Sequence, residues 1–290
     1  MKRFTLPLAM VCLLAAAPYA AAQLITSDVA LFYRVYDAAH GKPSAAALQR
    51  DYLDAGTPGL RDFIPYRIKS AQFLEQQIAS RAANYEQARS CTSAFPALEQ
   101  RVPLLIDRIA ALYPAGTRPR VTVVIGADNS GGTSSTEGVI LGLEVTCENR
   151  SHSQVPLDDR ITYLLAHEMI HTQQRRYAGD TLLAAALNEG VADFVAELVS
   201  GHTSTEHLAT WTKGHEAEIE ARFRLDMNQN DHTAWLYNGM GTPEQPGDLG
   251  YWVGYRVARS YYEHAADKRA AVARLLEETD AAALLRDSRW

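Results

Sequence analysis

Apolar residues recur with a helical period in two long stretches, and polar residues interrupt both runs. Over residues 157–176, Ile161, Tyr163, Leu164, Leu165, Ala166, Met169 and Ile170 lie nearly all round a helix, which is the pattern of a buried one. Asp158 and Asp159 open that stretch, Arg175 and Arg176 close it, and Gly179 follows, matching the helix dipole at both ends. Residues 182–201 form an Ala-rich apolar run broken by Asn188, Glu189, Asp193 and Glu197. Ahead of both, residues 23–114 repeat helically, with breaks at Gly41, Pro43, Gly56, Pro58, Pro65 and Pro96. The period shortens to that of strands between Pro119 and Cys147. Residues 121–125 and 138–145 read as strands, and residues 129–135 as a flexible polar loop between them. A polar helix follows over residues 206–227, then a loop over 231–246, a helix from Tyr251 to Tyr262, and closing helices over 266–278 and 281–286. The pattern predicts an α+β fold, mostly helical, with a small sheet preceding the two interrupted helices.

The N-terminus reads as a targeting segment. Lys2 and Arg3 precede an apolar core, and Ala20, Ala21 and Ala22 form a small-residue cleavage site, so residues 1–22 are expected to be a signal peptide. The apolar run is too short for a membrane anchor, and Cys12 has no lipoprotein-type context. Export to the periplasm or the medium is therefore expected, with no membrane anchor after cleavage. It leaves Cys91 and Cys147, an even number in an oxidising compartment, which predicts a disulfide; two buried thiols are the alternative. Losing two basic residues and no acid with the signal moves the formal charge from −6 to −8. Such a balance argues against nucleic acid or anionic membrane as a partner. The expected organisation is a signal over 1–22, a helical segment over 23–117 and a metal-site domain over 118–290.

The chemistry lies in the two interrupted helices. His167-Glu168-Met169-Ile170-His171 spells H-E-x-x-H, which sets two imidazoles one turn apart on one helix face and Glu168 beside them. By itself such a match can be two hydrogen-bonded core histidines. Glu189 and Asp193, four apart in an apolar run, change the picture, because carboxylates are costly to bury unless paired or bound to metal. His167, His171 and Glu189 make a three-ligand set for one Zn²⁺ that leaves a fourth position open for water. Asp193 is placed to accept the free N–H of His167, and Asn188 to act similarly on His171.

This combination, His167-Glu168-x-x-His171 followed by Asn188-Glu189-x-x-x-Asp193, resembles the gluzincin group of zinc metallopeptidases. It differs from the metzincins, which need Gly and His where Gln174 and Tyr177 stand. Residues 188–201 and 246–263 also resemble a bacterial domain-of-unknown-function family of candidate zinc-dependent proteases related to a gliding-motility lipoprotein. The resemblance covers roughly residues 119–290. It implies hydrolysis of peptide or protein substrates, with Glu168 as general base. It also implies an oxyanion-stabilising phenol, with Tyr251 of Tyr251-x-x-Gly254 as first choice and Tyr255 as second. An edge strand ahead of the metal helix would pair with substrate, for which residues 138–145 are the candidate, a buried central strand being the competing reading. His215 and Glu197 are read as structural. The alternative to a peptidase is a catalytically silent metal-binding envelope protein acting in binding or assembly; hydrolysis of a non-peptide amide is a third reading.

Overall fold

The computed structural model describes residues 24–148, 156–203, 205–239 and 241–290, so the expected signal peptide lies outside the described residues. Helices make up 63% of the described residues and surround a four-stranded sheet, the α+β class expected. The strands are β1 (Leu24–Ile25), β2 (Val121–Val124), β3 (Gly132–Ser135) and β4 (Gly138–Gly142), in the order β1-β2-β4-β3. The first three in that order run parallel, and β3 is antiparallel to β4.

Of the two readings of the second predicted strand, the central one is observed: β4 lies between β2 and β3 and is buried along its length. It also ends early, since a short helix begins at Leu143. The expected polar loop is corrected in turn, because its second half forms the edge strand β3. Gly132-Thr-Ser-Ser135 lacks apolar alternation because β3 has one strand neighbour and is only half-buried on both faces. Two glycines let this hairpin lie flat. A Cβ at Gly138, where φ is +116°, would fall 2.4 Å from the Arg120 carbonyl, and one at Gly142 would fall 2.1 Å from that of Ser130.

The N-terminal helices cover β2 and β4 through Leu60, Phe63 and the helix Ser27–Ala38, and three phenols tie them down. The Tyr52 hydroxyl donates to the Ile125 carbonyl (2.6 Å) and accepts from the Ile125 N–H (3.0 Å). Tyr85 donates to the Gly126 carbonyl (3.1 Å), and Tyr33 to that of Tyr85 (2.8 Å). The segment before residue 118 and the region after it share one continuous apolar core. Cys91 and Cys147 form the expected disulfide, with their Cα atoms 6.1 Å apart.

On the other side the helix Leu157–His171 packs on β3 and β4, and the helix Leu182–Ser200 packs on that helix. The first ends five residues before the expected Arg176, because Gln173 and Gln174 leave the helix and spend their side chains on hydrogen bonds. The second runs from a Thr181 N-cap, whose hydroxyl accepts from Ala184 N–H, to a left-handed Gly201. It crosses the helix Leu249–His264 with backbones almost touching. A Cβ at Gly190 would sit 2.0 Å from the Gly254 carbonyl carbon, and one at Gly254 would sit 1.8 Å from the Ala186 oxygen. That crossing needs small residues, which accounts for the Ala-rich composition, and it sets Tyr251 in the wall of the same cleft as Glu189. The polar helix expected over 206–227 is two helices, Glu206–Trp211 and Glu216–Asp226, parted at Gly214, where φ is +87°.

Candidate metal centre

His167 and His171 project from one face of their helix toward Glu189 on the next. Their Nε2 atoms stand 2.9 Å apart, and each lies 3.4 Å from Glu189 Oε2. These three are the group of His, Cys, Asp and Glu side chains among the described residues that could hold a metal ion. Donors at about 2.0–2.1 Å from a tetrahedral zinc are themselves roughly 3.3 Å apart, so this triangle fits the ion.

The outer nitrogens fix the tautomers. His167 Nδ1 lies 2.7 Å from Asp193 Oδ1, and Asp193 also accepts from the Tyr163 hydroxyl. His171 Nδ1 lies 2.7 Å from Gln174 Oε1, and the Gln174 amide nitrogen donates to the Asn188 carbonyl (2.9 Å). A carboxylate and an amide oxygen can only accept, so both imidazoles carry a proton on Nδ1 and turn Nε2 inward. Asp193 is thus placed against the outer nitrogen of His167. The expectation for Asn188 is corrected. Its side chain lies 3.5 Å from Glu189 Oε1, and Gln174 holds His171 instead, because the helix ends at His171 and frees that side chain to fold back.

The electrostatics ask for positive charge at the centre of the triangle. Burial opposes a charge on His167, but the bonds to Asp193 and Glu189 outweigh it and raise its pKa well above the ordinary imidazole value. Burial likewise pushes Glu189 up, and the two imidazoles more than reverse it, holding its carboxyl well below the usual range. Two inward nitrogen lone pairs and a carboxylate at such separations are stable around a cation or shared protons, and otherwise repel.

Glu168 is buried beside the triangle, and burial raises its pKa, with the charges of His167, His171 and Arg67 partly offsetting the rise. Its side chain lies against β3, where a Cβ on Gly132 would come within 2.9 Å of Glu168 Cγ and Oε1. A cleft of about 1460 Å³ opens over the centre, with Gly132, Thr133, Glu168, Tyr237 and Tyr251 in its lining. Tyr251 stands in that cleft with its phenol pKa raised, chiefly by burial. Tyr255 does not line it. Its hydroxyl donates to Glu197 and its ring packs on Phe194 at 5.9 Å, because one helical turn carries it to the other side of the Gly190–Gly254 crossing. That corrects the expectation for Tyr255 and gives Glu197 its partner. His215 caps a surface helix away from the centre.

Two further residues, one at the triangle and one in the cleft wall, had no signal in the sequence. The Tyr237 hydroxyl donates to Glu189 Oε1 (3.1 Å), the oxygen turned away from the imidazoles, and its ring meets Tyr251 edge to face at 6.0 Å. Tyr237 sits in a loop with left-handed backbone (φ +60°), which no periodicity reveals. Arg67 comes from a wide helical turn, Ile64–Ile68, more than sixty residues before the sheet's edge strand.

A family described as "Predicted Zn-dependent protease (DUF2268)" matches residues 83–281. No curated protein and no solved structure matches the chain.

Proposed function

The chain belongs to this family of predicted Zn-dependent proteases, and on that premise we propose that it is an exported, gluzincin-like peptidase with a single zinc site. The observation that carries the proposal is the convergence of His167 Nε2, His171 Nε2 and Glu189 Oε2, each imidazole turned inward by the partner that holds its Nδ1 proton. Export is supported by the Cys91–Cys147 disulfide and by the leader-like residues 1–22.

Zinc held by His167, His171 and Glu189 would supply Lewis acidity toward a water and a carbonyl. Glu168 takes the proton of the attacking water and returns it to the leaving amine. Asp193 and Gln174 hold the two imidazoles in the orientation required. The Tyr251 phenol, kept neutral by burial, donates to the carbonyl oxygen as negative charge grows on it. Edge strand β3 offers backbone N–H and C=O groups along the cleft wall, so an extended peptide can pair there with its scissile bond beside Glu168.

Glu168→Gln tests this reading. The variant should keep zinc at one equivalent per chain and lose peptide hydrolysis by about 10²-fold or more. Hydrolysis of a peptide library at the parent rate by that variant removes Glu168 from the mechanism. Stoichiometric zinc with no hydrolysis by the parent would instead favour a metal-binding envelope protein.

A further inference from the structure

Among the side chains lining the cleft, Arg67 has no part in the chemistry above. Its guanidinium makes one long contact, to Thr133 Oγ1 on the edge strand at 3.5 Å, and no carboxylate of a described residue lies within 4.0 Å of it. The turn that carries it is held firmly. The Arg67 carbonyl accepts from the Asn129 side chain (2.8 Å), and the turn is anchored by buried Phe63 just before it and buried Ile68 at its end. Thr133 follows Gly132, the residue against which Glu168 lies, so Arg67 stands within a residue or two of the point where the scissile bond must sit. Its charge is felt by both the Glu168 carboxyl and the Tyr237 phenol. A guanidinium carried on a held turn at the cleft wall, without a counter-ion among the described residues of a chain with net charge −6, is a receptor for a planar anion.

We propose that Arg67 binds a carboxylate of the substrate next to the cleaved bond, making the protein selective for peptides that carry an acidic side chain or a free C-terminus there. This inference rests on the peptidase reading for its orientation, but binding tests it separately from hydrolysis. The zinc-loaded Glu168→Gln chain, which should leave peptides intact, is titrated calorimetrically with two matched pairs of probes. One pair is acetyl-tetraalanine with a free C-terminus and the same peptide as its amide. The other is acetyl-Ala-Ala-Asp-Ala-amide and its Asn counterpart. In at least one pair the carboxylate probe should bind about tenfold tighter or better. Adding Arg67→Gln should reduce that ratio to near one, and Arg67→Lys should keep part of it. Which pair discriminates identifies the source of the carboxylate, terminus or side chain. Equal affinities within both pairs overturn the proposal, as does failure of all four probes to bind. A preference that survives Arg67→Gln overturns it as well, because the carboxylate would then be held by the zinc. Retained discrimination alongside a parent that hydrolyses nothing sinks the peptidase reading and leaves the carboxylate site standing.

Discussion

Neither imidazole of the centre is held by its own helix alone, and the two are held by different chemistry. His167 has an anion behind it, the buried Asp193, and His171 has a neutral amide, Gln174. A carboxylate strengthens the donor power of an imidazole more than an amide does, so the two substitutions should differ in size. Asp193→Asn should weaken zinc affinity nearer 100-fold, and Gln174→Leu nearer tenfold, as read by competition with a chelating dye. The reverse order would mean that the metal leans on His171. The two phenols on the crossing helix allow a similar comparison. Tyr251 faces the cleft and its hydroxyl has no hydrogen-bond partner among the described residues, whereas the Tyr255 hydroxyl is committed to Glu197. Tyr251→Phe should lower kcat by about 10–10³-fold with little change in KM, the signature of a donor used in the transition state. Tyr255→Phe should leave kcat within about twofold and lower Tm instead, since it strands the Glu197 carboxylate.

Between elements, the contact that matters most is the crossing of Leu182–Ser200 with Leu249–His264. Gly190 directly follows Glu189, and Gly254 lies one turn beyond Tyr251, so the spacing of this crossing sets how near the phenol comes to the His167–His171–Glu189 triangle. A methyl at Gly190 would meet backbone atoms of Gly254 and Tyr255 at 2.0–2.1 Å, and backbone cannot swing aside as a side chain can. Gly190→Ala should therefore cost about 3 kcal/mol or more, at the upper end of overpacking, measured by denaturant unfolding. Zinc binding should fall with it; an unchanged midpoint would mean that the two helices are not so closely apposed. The same pair of helices shows what could be read from sequence. Glu189 and Asp193 stood out because acids are foreign to an Ala-rich apolar run, and the helical period fixed which way they faced. Strand β3 gave no such signal, for Gly132 to Ser135 serve as an edge whose value is its unpaired backbone rather than its side chains. Tyr237 and Arg67 were equally invisible. Each reaches the centre through the packing of a distant segment, by a left-handed loop in one case and a wide helical turn in the other, and no local period encodes either.

At the scale of the whole molecule, the joint between the N-terminal helical layer and the half that carries His167, His171 and Glu189 contains an acid that should make folding depend on pH. Glu144 is 1% exposed and accepts from the backbone N–H groups of Gly126 (2.9 Å) and Asp128 (3.2 Å). Asp128 in turn meets Arg81 (3.3 Å) and Asn84 (3.2 Å) of the helical layer, so the acid lies behind the contact between the halves. Burial lifts the Glu144 carboxyl to about 7, against the pull of its backbone donors. In the unfolded chain an ordinary glutamate ionises near 4.5. Between those two values the folded protein keeps a proton that the unfolded chain has lost. Stability from this group is therefore fully present below about 4.5 and falls as pH rises toward 7, where the loss levels off. Its full size is on the order of 3 kcal/mol, taking 1.36 kcal/mol for each pH unit. Glu144→Gln cannot ionise, so the unfolding free energy of the variant should change less between pH 5 and pH 8 than that of the parent, by up to that amount. Ionisations at the metal centre are common to both chains and cancel in the comparison. If the two chains instead lose stability in parallel, Glu144 is charged in the folded protein at neutral pH, and its two backbone donors are enough to hold a buried anion at the joint.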